Sequence, residues 1–63
     1  LKALNFLLTL AHHENDELRA SVMTGLSYYQ DARVIETLTN ALTDIDPSVR
    51  DGAAFYLQRM GRY

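Results

Sequence analysis

Apolar residues recur along the chain at the spacing of α-helices rather than at the alternation typical of β-strands. The clearest stretch places apolar residues at i, i+1, i+4, i+7, i+8 and i+11, which are Val34, Ile35, Leu38, Ala41, Leu42 and Ile45. A helix makes one turn in about 3.6 residues, so these positions share one face. Similar stripes predict four helices joined by short turns, at about residues 1–13, 16–29, 32–43 and 47–60.

Residues that cap helices mark where these segments begin and end. Asp46 is followed by a proline, which pairs an N-cap acceptor with the residue best suited to the first helical position. Asp31 can cap the third helix, and either Asn15 or Asp16 can cap the second. Gly61 follows the last helix, where a residue in the left-handed conformation is expected.

The four predicted helices fall into two similar halves, offset by 31 residues. Three identities align at this offset: Leu7 with Leu38, Arg19 with Arg50, and Leu26 with Leu57. Most apolar positions in one half also have an apolar counterpart in the other. Two helices cannot bury their apolar faces alone, so the halves should stack as neighbouring hairpins. The sequence therefore predicts an all-α fold, an α-solenoid fragment in which residues 1–63 form a single unit of two helical hairpins.

Composition and charge narrow the classes of function. The chain has no cysteine, so it has neither a disulfide nor a thiolate metal site. Its net charge is −2 and its six Lys and Arg residues are spread along the sequence, so we expect no nucleic-acid binding. No apolar run approaches the roughly 20 residues that span a bilayer, so we expect no membrane insertion. The absence of cysteine fits a reducing compartment, so we expect a cytoplasmic location.

The strongest candidate for metal or catalytic chemistry is the stretch "HHENDE", residues 12–17. Metal-binding histidine pairs on helices usually sit at i and i+4, whereas His12 and His13 are adjacent and point in different directions. A solvated turn explains them better than a metal site. The serines have no His and acid in register for nucleophilic catalysis. We therefore predict no catalytic residue, no metal, no cofactor and no enzymatic activity.

Two stretches carry a resemblance to a known family. "DIDPSVRDGAAFYL", residues 44–57, resembles the second-helix signature of the short HEAT-like repeats of bacteria and archaea, as found in bilin lyases. "ENDELRASVMTGLSYYQDARVIETLTNALTD", residues 14–44, resembles a complete repeat of this kind. The resemblance implies a protein–protein interaction scaffold without catalysis of its own. It also implies structural ion pairs between the recurrent arginines and acidic turns, here Arg19 and Arg50 with Asp16, Asp44 and Asp46 as candidate acceptors.

The same resemblance leaves an enzymatic alternative open. Related repeats form subunits of bilin lyases, and other HEAT-like solenoids are alkyl-DNA glycosylases. The glycosylase alternative requires a basic groove lined by aromatic residues, and this acidic sequence lacks the basic part. The partner of a scaffold, by contrast, is not specified by any motif.

Aromatic residues are the best candidates for contact with a protein partner, because Phe55 and Tyr56 align with Thr24 and Gly25 and so do not define the repeat. The resemblance implies that the second helix of each hairpin lines the concave binding face, which carries Tyr28, Phe55, Tyr56 and Arg59. In the first helix, Phe6 and Leu8 stand where the second half has threonines. These two residues predict contact with an earlier repeat, another copy of the chain or a partner. We therefore expect a longer solenoid, with possible self-association through uncapped ends.

Overall fold

The computed structural model describes residues 2–63, which form four α-helices. These are α1 (Lys2–Leu10), α2 (Asp16–Leu26), α3 (Ala32–Ala41) and α4 (Pro47–Arg59), and no strand occurs in this part of the chain. The all-α prediction is confirmed. The starts of α2, α3 and α4 fall at the predicted residues, whereas the predicted start of the first helix lies at Leu1, outside the described residues.

All four helices end one to three residues before their predicted ends. After α2 and α3 the backbone tightens, because the N–H groups of Ser27 and Leu42 reach the carbonyls of Thr24 and Thr39, three residues back, at 3.2 Å each. Such i→i+3 bonds satisfy the last carbonyls of a helix within a short turn. The apolar periodicity continues through these turns, and for this reason it overestimates helix length.

Side-chain caps fix the beginnings of three helices. The Asn15 side chain accepts a hydrogen bond from the N–H of Leu18 at 3.0 Å, which identifies Asn15 rather than its neighbour Asp16 as the cap of α2. Asp31 accepts from the second residue of α3, and Asp46 from the third residue of α4. Each cap satisfies one of the otherwise unpaired N–H groups of a helix start.

A glycine closes α4. Gly61 has a φ of +72°, in the left-handed region, and its N–H donates to the carbonyl of Gln58 at 3.0 Å. The N–H of Arg62 donates to the carbonyl of Leu57 at 2.9 Å. This pair of bonds is a Schellman motif, which needs a residue that tolerates positive φ.

The helices form two antiparallel hairpins, α1–α2 and α3–α4, stacked side by side. The outer layer consists of α1 and α3, and the inner layer of α2 and α4, which share the largest interface between any two helices. The shortest dimension of the Cα trace is 14 Å. Two helix layers about 8–10 Å apart account for this thickness.

One apolar core runs through both hairpins. Its buried members are Leu4, Ala11, Val22, Met23, Leu26, Val34, Leu38, Ala41, Val49, Ala53 and Leu57. Large residues of α2 meet small residues of α4 across the stack. A Cβ placed on Gly52 would be in ordinary van der Waals contact, 3.7 Å from the Cβ of the buried Met23. Residues of the size of glycine or alanine therefore fit on this side of α4.

Ile45 contradicts the predicted apolar stripe of the third helix. Its side chain is 86% exposed, because α3 already ends at Ala41 and Ile45 belongs to the turn that leads to α4. In that turn the residue no longer projects onto the buried face of the helix. Nothing in residues 2–63 covers it.

Equivalent positions of the two hairpins are buried to different extents. In the first hairpin, Ala3, Leu7 and Leu18 are exposed or half-buried, whereas their counterparts Val34, Leu38 and Val49 are buried. The reverse holds for Leu4, Ala11 and Met23, which are buried while Ile35, Leu42 and Ala54 are only half-buried. Each hairpin thus covers one apolar face of the other, and each keeps a second apolar face open.

None of the helices described is long and apolar enough to cross a membrane.

Candidate functional site

A groove, which we call the inner groove, lies between the C-terminal ends of the inner helices α2 and α4 and the residues that follow them. Its volume is about 370 Å³, and its lining residues are Thr24, Ser27, Tyr28, Phe55, Tyr56, Arg59 and Met60. The four contact residues assigned to the second helices from the sequence all lie in this lining, although Tyr28 belongs to the turn after α2, which ends at Leu26, and not to the helix itself. The offset of 31 residues explains part of this arrangement, because it pairs Tyr28 of one hairpin with Arg59 of the other.

Phe55 is the centre of an aromatic cluster in the inner groove. Its ring meets that of Tyr56 edge to face, with 5.0 Å between the centroids and 80° between the planes. The guanidinium carbon of Arg59 lies 5.5 Å from the centroid of the Phe55 ring, which is a cation–π contact. Phe55 nevertheless keeps 50% of its surface exposed, and Tyr28 keeps 81%. The Phe55 ring is therefore held by its neighbours while half of its surface stays open to solvent, and Tyr28 adds further exposed aromatic surface.

Tyr56 is more firmly bound to the fold than its neighbour. It is half-buried against the core, and its hydroxyl lies 3.0 Å from Oγ1 of Thr24 on α2. This hydrogen bond links the inner helices of the two hairpins. Tyr56 consequently forms a fixed wall of the groove, whereas Tyr28 and Phe55 supply its open apolar surface.

The structure does not bring Phe6 or Leu8 into the inner groove, because α1 belongs to the outer layer. Phe6 is 65% exposed and offers a separate apolar surface. Leu8 is half-buried and packs against the core, so much of its side chain is already covered by the chain itself. Of the two outer-layer candidates, Phe6 is thus the one that is open for contact.

Arg19 joins the turns of the two hairpins. Its Nε and Nη2 atoms donate to the two carboxylate oxygens of Asp44 at 3.0 and 2.8 Å. Nη2 also contacts Oδ1 of Asp16 at 2.5 Å, and Nη1 donates to the carbonyl of His13 at 2.8 Å. The guanidinium is buried and its planar fork matches the carboxylate. This arrangement is structural: it connects residues 25 positions apart in sequence.

The charges of this network stabilise one another. Hydrogen bonds from Arg19 hold the pKa of the Asp44 carboxyl below its usual range, and burial acts in the opposite direction. The backbone N–H of Asp46 and the charge of Arg50 lower the pKa of Asp44 further. The same contacts with Asp44 and Asp16 raise the pKa of Arg19. Asp44 therefore stays ionised at neutral pH.

Arg50 repeats only part of the Arg19 arrangement. Its Nη1 donates to the carbonyl of Asp44 at 2.7 Å, which matches the bond from Arg19 to His13 at the offset of 31. The expected ion pair of Arg50 with an aspartate is absent from residues 2–63. The counterpart of Asp16 is a proline, and the Asp46 carboxylate instead accepts the N–H of Val49 as the cap of α4.

A second ionic cluster was not foreseen from the sequence. Arg33 donates from Nε to Oδ1 of Asp31 at 3.1 Å, and from Nη1 to Oδ1 of Asn5 on α1 at 3.0 Å. Hydrogen bonds from Arg33 lower the pKa of Asp31, and they raise that of Arg33 in return. The position of Arg33 two residues after a predicted cap is a signal for the first contact. The contact with Asn5 depends on how the hairpins stack.

His13 in the α1–α2 turn takes part in hydrogen bonds that hold this turn. The Nδ1 atom of His13 accepts a hydrogen bond from the N–H of Asn15 at 3.0 Å, and its carbonyl binds Arg19. Within residues 2–63, no three residues of the His, Cys, Asp and Glu types are grouped so that they could hold a metal ion.

Charge is segregated between the two ends of the helices. The end with the α1–α2 and α3–α4 turns has six carboxylates against two arginines, a formal charge of −4: Glu14, Asp16, Glu17, Asp44, Asp46 and Asp51 against Arg19 and Arg50. The opposite end has four basic residues against one carboxylate, a formal charge of +3: Lys2, Arg33, Arg59 and Arg62 against Asp31. Glu36 lies midway along α3. The inner groove opens at the positive end.

Two stacked helical hairpins with an arginine repeated at the same place in each define an α-helical repeat protein of the solenoid class. The chain belongs to the HEAT repeat family, since the sequence model of the HEAT repeats matches residues 4–62. No curated protein and no solved structure matches the chain. HEAT repeats are commonly protein-interaction scaffolds, and the family is generally non-catalytic.

Proposed function

We propose that this chain is a non-catalytic scaffold that binds a protein partner through the inner groove. The supporting observation is the cluster of Phe55, Tyr56 and Arg59, in which Phe55 keeps half of its surface exposed, in the same groove as the exposed Tyr28. Aromatic residues and arginine are enriched in the cores of protein interfaces and in their hot spots. The family supports the same role, because its repeats commonly act as interaction scaffolds.

The two repeats belong, in this proposal, to a longer cytoplasmic solenoid. The support is the pair of half-covered apolar faces, one with Leu7 and Leu18 and the other with Ile35 and Leu42. In a solenoid each hairpin buries such faces against its neighbours. The cytoplasmic location fits a chain without cysteine, since cysteine-rich disulfide frameworks characterise oxidising compartments.

Site-specific photo-crosslinking tests the scaffold function. A photoreactive phenylalanine analogue replaces Tyr28 in one variant and Thr9, an exposed residue of the outer layer, in a matched control. We expect the variant at position 28 to form an adduct with a defined protein that the control does not capture. That protein is then purified and titrated with the unmodified chain and with a Phe55→Ser variant, which should bind at least about tenfold more weakly. Equal binding by the two chains would contradict the proposal.

A further inference from the structure

The inner groove continues into a second cavity that carries positive charge. This cavity has a volume of about 630 Å³ and shares Ser27, Arg59 and Met60 with the inner groove. Its lining adds the C-terminal arginine Arg62 and the α2–α3 turn. The two cavities therefore form one continuous surface. We call the part of the inner groove between Tyr28 and Phe55 the slot, and the second cavity with Arg59 and Arg62 the pocket.

Arg59 stands at the junction of the slot and the pocket. Its guanidinium carbon lies over the Phe55 ring, 5.5 Å from the centroid, and among residues 2–63 no carboxylate lies within ion-pair distance of it. A guanidinium carries five N–H donors, so a cation–π contact leaves donors available for an anion. Asp31, the carboxylate in the lining of the second cavity, already binds Arg33. The N–H donors of Arg59 are thus available to bind an anion from another molecule, because no carboxylate within residues 2–63 pairs with them.

We propose that this surface binds an acidic peptide segment of a partner protein. The proposal rests on the scaffold function above and specifies the chemistry of the partner. An aromatic or large aliphatic side chain of the segment occupies the slot between Tyr28 and Phe55, and a neighbouring carboxylate binds Arg59 and Arg62. Bidentate contact between guanidinium and carboxylate supplies orientation, and the apolar slot supplies most of the buried area.

A second copy of the chain is a weaker fit to the same surface. Its acidic end also offers an exposed apolar residue, Ile45, between two aspartates. Both carboxylates are already engaged, however, because Asp44 binds Arg19 and Asp46 caps α4. A foreign segment with unengaged carboxylates meets the donors of Arg59 without breaking a contact inside this fold.

Selection from a random peptide display library tests this inference directly. The purified chain is the bait, and a chain with Phe55→Ser is used in parallel to discard peptides that do not depend on the slot. We expect the retained peptides to combine Asp or Glu with a Phe, Tyr or Leu nearby. Retained peptides without acidic residues would overturn the inference on charge but leave the scaffold function standing. If no peptide depends on Phe55, both proposals fail.

Titration of the retained peptides then measures the role of Arg59. By fluorescence anisotropy we expect Arg59→Gln to weaken binding about tenfold and Arg59→Glu to weaken it further. Lys2→Glu is the matched control, since it changes the charge of the same end outside the groove and should alter affinity far less. For the unaltered chain, affinity should fall as salt rises, because the contact is ionic. Salt-independent binding, or sedimentation showing that peptides compete with self-association through Ile45, would overturn the inference.

Discussion

Arg19 donates hydrogen bonds to both carboxylate oxygens of Asp44, from Nε at 3.0 Å and from Nη2 at 2.8 Å. One residue lies at the start of the second helix of one repeat, and the other lies in the turn of the next repeat. The contact is thus the polar counterpart of the apolar stack between α2 and α4. Through this contact the α3–α4 turn, which carries Asp44, is bound directly to the start of α2 in the first hairpin.

Replacement of Arg19 by alanine should destabilise the fold more than the same replacement at Arg50. Arg19→Ala leaves the Asp44 carboxylate without its fork of donors, whereas Arg50→Ala removes a bond to one carbonyl. We expect Arg19→Ala to lower the midpoint of thermal unfolding by roughly 10 °C, and Arg50→Ala to lower it by less. Circular dichroism on matched samples measures both. If both variants lower the midpoint equally, the hydrogen bonds of Arg19 to Asp44 do not contribute to the stability of the stacked hairpins.

Acid should weaken the fold through Asp44. The pKa of Asp44 is lowered in the folded chain, so its contribution is present above the unfolded value of about 3.9 and is lost as pH falls through the folded pKa. Asp31 contributes in the same direction. We expect the thermal midpoint to decline below about pH 4. In Asp44→Asn, which cannot ionise, the decline should be shallower and start from a lower stability at neutral pH. An unchanged decline in this variant would be evidence against the role of Asp44.

Two glycines of the last repeat should respond to alanine in opposite directions. Gly52 lies inside α4 and has room for a Cβ, 3.7 Å from the Cβ of Met23, so Gly52→Ala should stabilise the fold by about 0.5–1 kcal/mol. Gly61 has positive φ, so Gly61→Ala should destabilise it by about 1 kcal/mol. Urea unfolding of the two variants provides the comparison. A loss of stability in Gly52→Ala would mean that α2 and α4 pack more tightly than this distance implies.

Phe6 should support association between copies of the chain. It is 65% exposed on α1, next to the half-covered apolar face that includes Leu7. We expect sedimentation velocity to show a weight-average mass that rises with concentration, together with a thermal midpoint that rises likewise. Phe6→Ser should reduce both effects, and Thr9→Ser, on the same helix, should not. A strictly monomeric chain at high concentration would refute this prediction.

Local features were readable from the sequence because they depend on residues close together in the chain. Asp31 and Asp46 act as caps within three residues of themselves, so the starts of α3 and α4 were predictable. The repeat offset likewise placed Arg19 and Arg50 at equivalent positions. The caps and the equivalent arginines follow from helical geometry and from the donor and acceptor properties of single side chains.

Features that depend on the stacking of the hairpins were not readable. The bond from Arg33 to Asn5 joins residues 28 positions apart, and no periodicity connects them. The exposure of Ile45 was missed because helical periodicity cannot locate where i→i+3 bonds end a helix. The stacking also decides that Phe55 stays open while Tyr56 is held by Thr24.

The buried arginine at the turns and the exposed one in the outer layer give the pair of hairpins an uneven stiffness. The fork of Arg19 fixes both distance and orientation at one edge, whereas the bond of Arg33 to Asn5 at the opposite edge is exposed to water. At the end that holds the inner groove, the hydrogen bond between Tyr56 and Thr24 still ties the inner helices together, so we expect the outer layer around Arg33 to be the more compliant edge. A solenoid built from such units can change its curvature to fit a bound segment while each turn keeps its neighbour in register.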